Sequence, residues 1–114
     1  MPSVKTHVYV STAGAGEVAC YALTPEGQLV ARGTVPAGPL VMPMTATRDG
    51  RWLHAAVRSQ PFRLCSYAVE PDSGALTHEP EVSLADNMVY IALDRTESWL
   101  VGASYSGNTV AVHP

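Results

Sequence analysis

The sequence predicts an all-β chain, and more narrowly a β-propeller fragment of about two and a half four-stranded blades. Three observations carry that expectation. Hydrophobic residues make up 46% of the 114 residues and charged ones only 15%, so Ser, Thr, Gly, Pro and the backbone must supply most polar surface, as is usual in sheet proteins. The chain also repeats itself. "VACYALTPEGQL" (18–29) aligns with "RLCSYAVEPDSGAL" (63–76), matching Tyr21 to Tyr67 and Pro25 to Pro71, while "DGRWLHAAVRS" (49–59) aligns with "RTESWLVGASYS" (95–106), matching Trp52 to Trp99. The period is about 46 residues, the length of a unit holding several short strands. Finally, Gly, Pro and Asp clusters punctuate each unit at strand-length intervals.

With blade strands lettered A (innermost) to D (outermost), residues 7–11 read as B, 18–23 as C and 29–34 as D. The linking stretch "STAGAGEVACY" (11–21) has the spacing G-x-G-x-x-A, which could suggest a phosphate-cradling turn before a helix. The repeat argues otherwise: the stretch is equivalent to "SYSGNTVAV" (104–112) and "RSQPFRLCSY" (58–67), and Pro25 stops any helix soon after it. A strand-to-strand loop is expected. A complete A–D set follows at 43–47, 52–58, 63–69 and 76–83, and strands A, B and C of a third unit at 88–93, 99–105 and 109–113, ten strands in all. The organisation is thus a single partial propeller, 7–34, 43–83 and 88–113, with "PEGQ" and "PDSGA" turning C into D and "RDGR" turning A into B.

Formal net charge is −3 and no block of Lys or Arg occurs, so neither nucleic acid nor an anionic membrane is an expected partner. "MPSVKTHVYV" lacks the apolar core of a signal peptide, and no run reaches the roughly 18 apolar residues of a membrane helix. A cytoplasmic protein is expected. Cys20 and Cys65 are out of phase in the repeat and too few for a zinc site of four paired ligands, so both read as buried thiols and no metal is expected.

The stretches "VYVSTAGAGEVACYAL", "VMPMTATRDGRWLHAAVRSQPFRLCSYAVEPDSGALT" and "YIALDRTESWLVGASYSGNTVAV" together resemble the N-terminal part of the bacterial seven-bladed β-propeller 6-phosphogluconolactonases. This lactonase family is related to fungal muconate-lactonising enzymes, and residues 58–67 carry the most specific likeness. The resemblance implies hydrolysis of 6-phosphoglucono-δ-lactone to 6-phosphogluconate in the pentose phosphate pathway, with no metal or organic cofactor. It also implies that the family's catalytic His and Arg lie in later blades, leaving the catalytic residues unknown here and the chain a truncated, inactive portion. The alternatives are a muconate-type lactone cyclase on the same fold and a non-catalytic propeller interaction module. An incomplete ring exposes strand edges at 7–11 and 109–113, from which self-association is expected.

In a propeller the D-to-A and B-to-C loops share the face around the channel mouth. That rim would carry Met42, Pro43, Asn87 and Met88 from the first kind of loop, and Ser11, Thr12, Arg58, Ser104 and Tyr105 from the second. Arg58, Tyr105, Ser104 and Asn87 are the substrate-binding candidates, for a phosphorylated sugar lactone. Arg58 closes the apolar run "LHAAV", and its forked donors suit a phosphate or carboxylate. The competing reading is an Arg that braces the neighbouring loop by bonding its carbonyls. No carboxylate or His is expected on the rim, so Ser104 has no triad partners. His7 and His113 read as strand-end residues, and His54 and His78 as strand positions with packing or surface roles. Arg63 is expected to pair with a surface acid, and Trp52 and Trp99 to pack between blades.

Overall fold

β-branched residues fill every second position of "THVYVST", "EVACYAL" carries Val18 and Tyr21, and the two runs close into a hairpin at Gly16. Gly16 adopts a left-handed φ of 69°, and its N–H bonds Thr12 O at 2.9 Å. The glycine stretch is therefore a strand-to-strand turn, as the repeat requires. A computed structural model of the chain describes residues 6–104, 107 and 109–113, which contain strands and no helix.

Strands β1 (Thr6–Thr12), β2 (Glu17–Leu23) and β3 (Leu29–Pro36) form the first sheet in the order β1-β2-β3. The second sheet orders β4 (Val41–Ala46), β5 (Trp52–Val57), β6 (Arg63–Val69) and β7 (Leu76–His78), with β8 (Val82–Ser83) also pairing with β6. The third holds β9 (Tyr90–Leu93), β10 (Leu100–Ser104) and β11 (Thr109–His113) in the order β11-β10-β9. All pairings are antiparallel, and β4 lies beside both β1 and β9.

Two differences from the expected strands have local causes. The outer strand expected at 76–83 is broken in two, because Pro80 has no N–H to continue the ladder after Glu79 N bonds Ser66 O at 2.8 Å. In β4 the register slips between Val41 and Met44, which seats the donor-less Pro43 at an irregularity where no ladder bond is needed.

The alternation of β5 and β6 divides their side chains between two cores. Leu53, Ala55, Val57, Cys65 and Tyr67 join Val18 and Val41 in a cluster that reaches Tyr9 and Val35 of the first sheet. Ala56 and Leu64 instead join Leu84, Met88, Ile91 and Leu100 toward the third. Fully buried Val57 contributes about 1.5–3 kcal/mol on this basis. Phenol oxygens tie the sheets together: Tyr67 Oη donates to Pro36 O at 2.8 Å and Tyr9 Oη to Gly74 O at 2.6 Å. Both cysteines are buried free thiols.

Met88, expected on the rim, is fully buried, and a Cβ at Gly102 would strike its sulfur, so the β9 approach curls inward over a glycine. Trp52 and Trp99, expected to pack between blades, are 39% and 48% exposed, and Trp99 lines a cavity shared by the second and third sheets.

Candidate functional site

The rim is built from strand ends. Ser11, near the end of β1, donates through Oγ to Met42 O at 2.7 Å, fixing β1 against the start of β4. Arg58 follows β5 directly, and its N–H bonds Leu40 O at 3.1 Å, so its side chain leaves the sheet from a fixed point. Nε donates to Asn87 Oδ1 at 2.7 Å and Nη1 points at Met42 Sδ at 3.3 Å. Nη2 has no hydrogen-bond partner among the described residues. Arg58 thus ties to the neighbouring loop through the Asn87 side-chain amide, and among the described residues its side chain bonds no backbone carbonyl of that loop.

Asn87 is held in turn by its backbone. Its N–H bonds Asp86 Oδ1 at 2.7 Å, and the next amide but one, Val89 N, bonds Ala103 O at 2.8 Å. The Asp86 carboxylate lies against Gly107, where a Cβ would collide with it, and Gly107 N bonds the buried Ser104 Oγ at 3.2 Å. Three of the four sequence candidates, Arg58, Asn87 and Ser104, therefore belong to one connected rim cluster. Tyr105 lies outside the described residues. Asp86, which the sequence reading did not single out, brings a carboxylate into this cluster beside Asn87. A forked cation, an amide and a carboxylate on one rim suit a polyhydroxylated anion, with the cation for its charge and the others for hydroxyls.

Two further places gather functional groups. Between the second and third sheets a cavity of about 180 Å³ is lined by His54, Ser66, Glu97, Trp99 and His113 among others. His54 Nδ1 and Ser66 Oγ are 2.8 Å apart, and burial keeps the imidazole below its usual pKa and hence neutral. Glu97 is not free to complete a triad, since its Oε2 accepts Arg48 N at 2.8 Å. On the outer strands Arg63 pairs with Glu81 (Nε–Oε1, 3.3 Å), the surface acid expected for it. There the fold also brings Cys65, His78 and Glu81 together, with ligand atoms all within 4.8 Å of one another, a set that cysteine spacing does not reveal.

A family model described as "Lactonase, 7-bladed beta-propeller" matches residues 6–114. A 6-phosphogluconolactonase of Enterobacter sp. (strain 638) is 31% identical over 109 residues, covering 96% of this chain and 33% of the relative. That of Klebsiella pneumoniae (strain 342) is 30% identical over 111 residues, covering 97% and 33%. The solved periplasmic gluconolactonase of Pseudomonas aeruginosa superposes with a TM-score of 0.85 at 22% identity, over 93% of this chain and 31% of that one, a likeness of fold. The chain spans 33% of the length of the curated relatives it matches. No helix among the described residues is long and apolar enough to cross a membrane.

Proposed function

The chain belongs to the seven-bladed β-propeller lactonase family, and from that premise we propose that it forms part of a 6-phosphogluconolactonase whose Arg58–Asn87 cluster holds the phosphate of 6-phosphoglucono-δ-lactone. The observation that carries this reading is the geometry of Arg58. Its Nε is anchored by Asn87 at 2.7 Å, which fixes the plane of the guanidinium while Nη2 keeps its donors for a phosphate oxygen. Preorganising the fork lowers the ordering cost of binding. In this reading Asp86 accepts from a sugar hydroxyl, Ser104 supports the rim from below through its buried Oγ, and Tyr105 stays a substrate-binding candidate on its sequence position.

In the same reading the three sheets are successive blades, with strands B–D at 7–34, a complete blade at 43–83 and strands A–C at 88–113. The outer edge of β11, where Val110 is 75% and Val112 57% exposed, is assigned to pairing with another strand, including that of a second copy. The cytoplasm and the pentose phosphate pathway are the assigned setting, supported by the relatives' activity and by two free thiols that suit a reducing compartment.

Arg58→Ala in the complete enzyme is expected to raise KM for the phosphorylated lactone about 10- to 150-fold, equivalent to roughly 1.5–3 kcal/mol. The unphosphorylated lactone should be nearly unaffected. Equal losses on both substrates, together with a lowered melting temperature, would assign Arg58 to bracing the rim instead.

A further inference from the structure

We propose that Cys65, His78 and Glu81 form a binding site for a borderline transition-metal dication, Zn²⁺ foremost, on the outer strands of the second sheet. The register of that sheet creates the cluster. β7 sets His78 opposite Tyr67 on β6, and β8 rejoins β6 with Val82 opposite Leu64. The kink at Pro80 between them drops Glu81 beside Cys65, and Sγ lies 3.5 Å from Glu81 Oε2. His78 Nε2 lies 3.8 Å from the same oxygen, and the imidazole is oriented by stacking on Tyr67 with ring centroids 5.0 Å apart.

These separations fit a tetrahedral ion. Zn–S of about 2.3 Å and Zn–N or Zn–O of about 2.0–2.1 Å place neighbouring ligand atoms roughly 3.3–3.6 Å from one another. The three ligand atoms, all within 4.8 Å, need only small side-chain rotations to reach that arrangement. Arg63 holds Glu81 by its other oxygen, Oε1, at 3.3 Å and is itself anchored on Pro61 O at 2.9 Å. Oε2 is thereby presented to the site, as an outer-shell partner commonly arranges for a metal-binding carboxylate. The side chains of His78 and Glu81 are 39% and 38% exposed, which gives the ion an entry path and leaves a fourth position for water.

Donor chemistry selects the ion. Thiolate with imidazole and carboxylate favours Zn²⁺ or Co²⁺ over Mg²⁺ or Ca²⁺, which prefer oxygen alone. A thiol coordinates as the thiolate, so binding breaks the S–H bond, forms an S–metal bond and releases one proton to solvent.

The test is titration of the chain with Co²⁺, followed by competition with Zn²⁺. One equivalent of Co²⁺ should produce a thiolate-to-cobalt charge-transfer band and tetrahedral visible bands, both removed by Zn²⁺. Cys65→Ser should abolish the charge-transfer band. His78→Gln, at an exposed position, should fold normally and weaken Co²⁺ binding about tenfold or more. Cys20→Ala should retain every signal. Zn²⁺ should raise the melting temperature of the parent and of Cys20→Ala, but not of His78→Gln. Absence of the charge-transfer band at stoichiometric Co²⁺, or its persistence at parent affinity in His78→Gln, or its loss in Cys20→Ala, would overturn the assignment.

Discussion

Tyr21 and Tyr67 occupy matching places in the repeat, each within a seven-residue strand, yet Tyr67 is fully buried and Tyr21 only partly. Local sequence does not account for this, because "ACYAL" and "CSYAV" offer the same kind of alternation. What differs is the neighbour. The second sheet has a core cluster against each face, one shared with the first sheet and one with the third. The first sheet has one covered side, and its β3 exposes nearly every residue. Burial in a repeat is thus a nearest-neighbour property: the unit specifies its strands, and the adjacent sheet completes its core.

The sharpest test of that contrast is truncation of the paired tyrosines. Tyr67→Ala should cost about 3–5 kcal/mol in urea unfolding, by cavity formation and loss of the bond to Pro36, and Tyr21→Ala less than half as much. Equal costs would break the comparison. Next in size is Gly102→Ala, which drives a Cβ against Met88 in the second core and should cost about 1–3 kcal/mol. Gly14→Ala, with open space at its Cβ, should stay within about 0.5 kcal/mol by the same measurement.

The β4–β5 and β9–β10 turns sharpen the contrast further. Thr47 N to Trp52 O and Asp94 N to Trp99 O are both 3.0 Å, so the two turns superimpose bond for bond. The left-handed residue is Gly50 in one (φ 74°) and Glu97 in the other (φ 61°). Gly50→Glu should cost about 1–2 kcal/mol in thermal unfolding. Glu97→Gly should change little, because relief of the left-handed backbone is offset by loss of the 2.8 Å bond from Arg48 N.

The smallest effect concerns pH. Hydrogen bonds, first from the Thr96 hydroxyl and then from Trp99 N, hold Asp94 below the usual carboxylate pKa. A lowered folded-state pKa means that this stabilisation is present above the unfolded value of about 3.9 and is lost as pH falls through the folded one. Melting curves of Asp94→Asn between pH 2 and 5 should therefore show a shallower acid limb than the parent; an unchanged limb would remove Asp94 from the account.

Strand positions were legible because period-two alternation and turn residues agree: the expected 7–11, 18–23, 52–58 and 63–69 differ from β1, β2, β5 and β6 by a residue or less at each end. Arg58 and Asn87 could be singled out because the loops that carry them recur in the repeat, but their 2.7 Å contact, made across sheets, could not. Met88 was not, since an apolar residue before a strand looks the same whether its loop turns outward or folds over Gly102. The Cys65–His78–Glu81 cluster was illegible for another reason. It depends on cross-strand register and on the break at Pro80, and neither is encoded in linear spacing.

The bond from Tyr9 Oη to Gly74 O spans 65 positions in sequence, whereas almost every ladder joins a strand to the next one along the chain. Such wiring separates assembly into fast and slow stages. Hairpins within each sheet close short loops and form early, while docking of one sheet on the next must gather distant segments and comes last. Pulsed hydrogen exchange during refolding should then protect amides of β5 and β6 before the Tyr9 environment becomes native. The order of construction would follow the order of synthesis, with each new sheet finding its predecessor already waiting as a template.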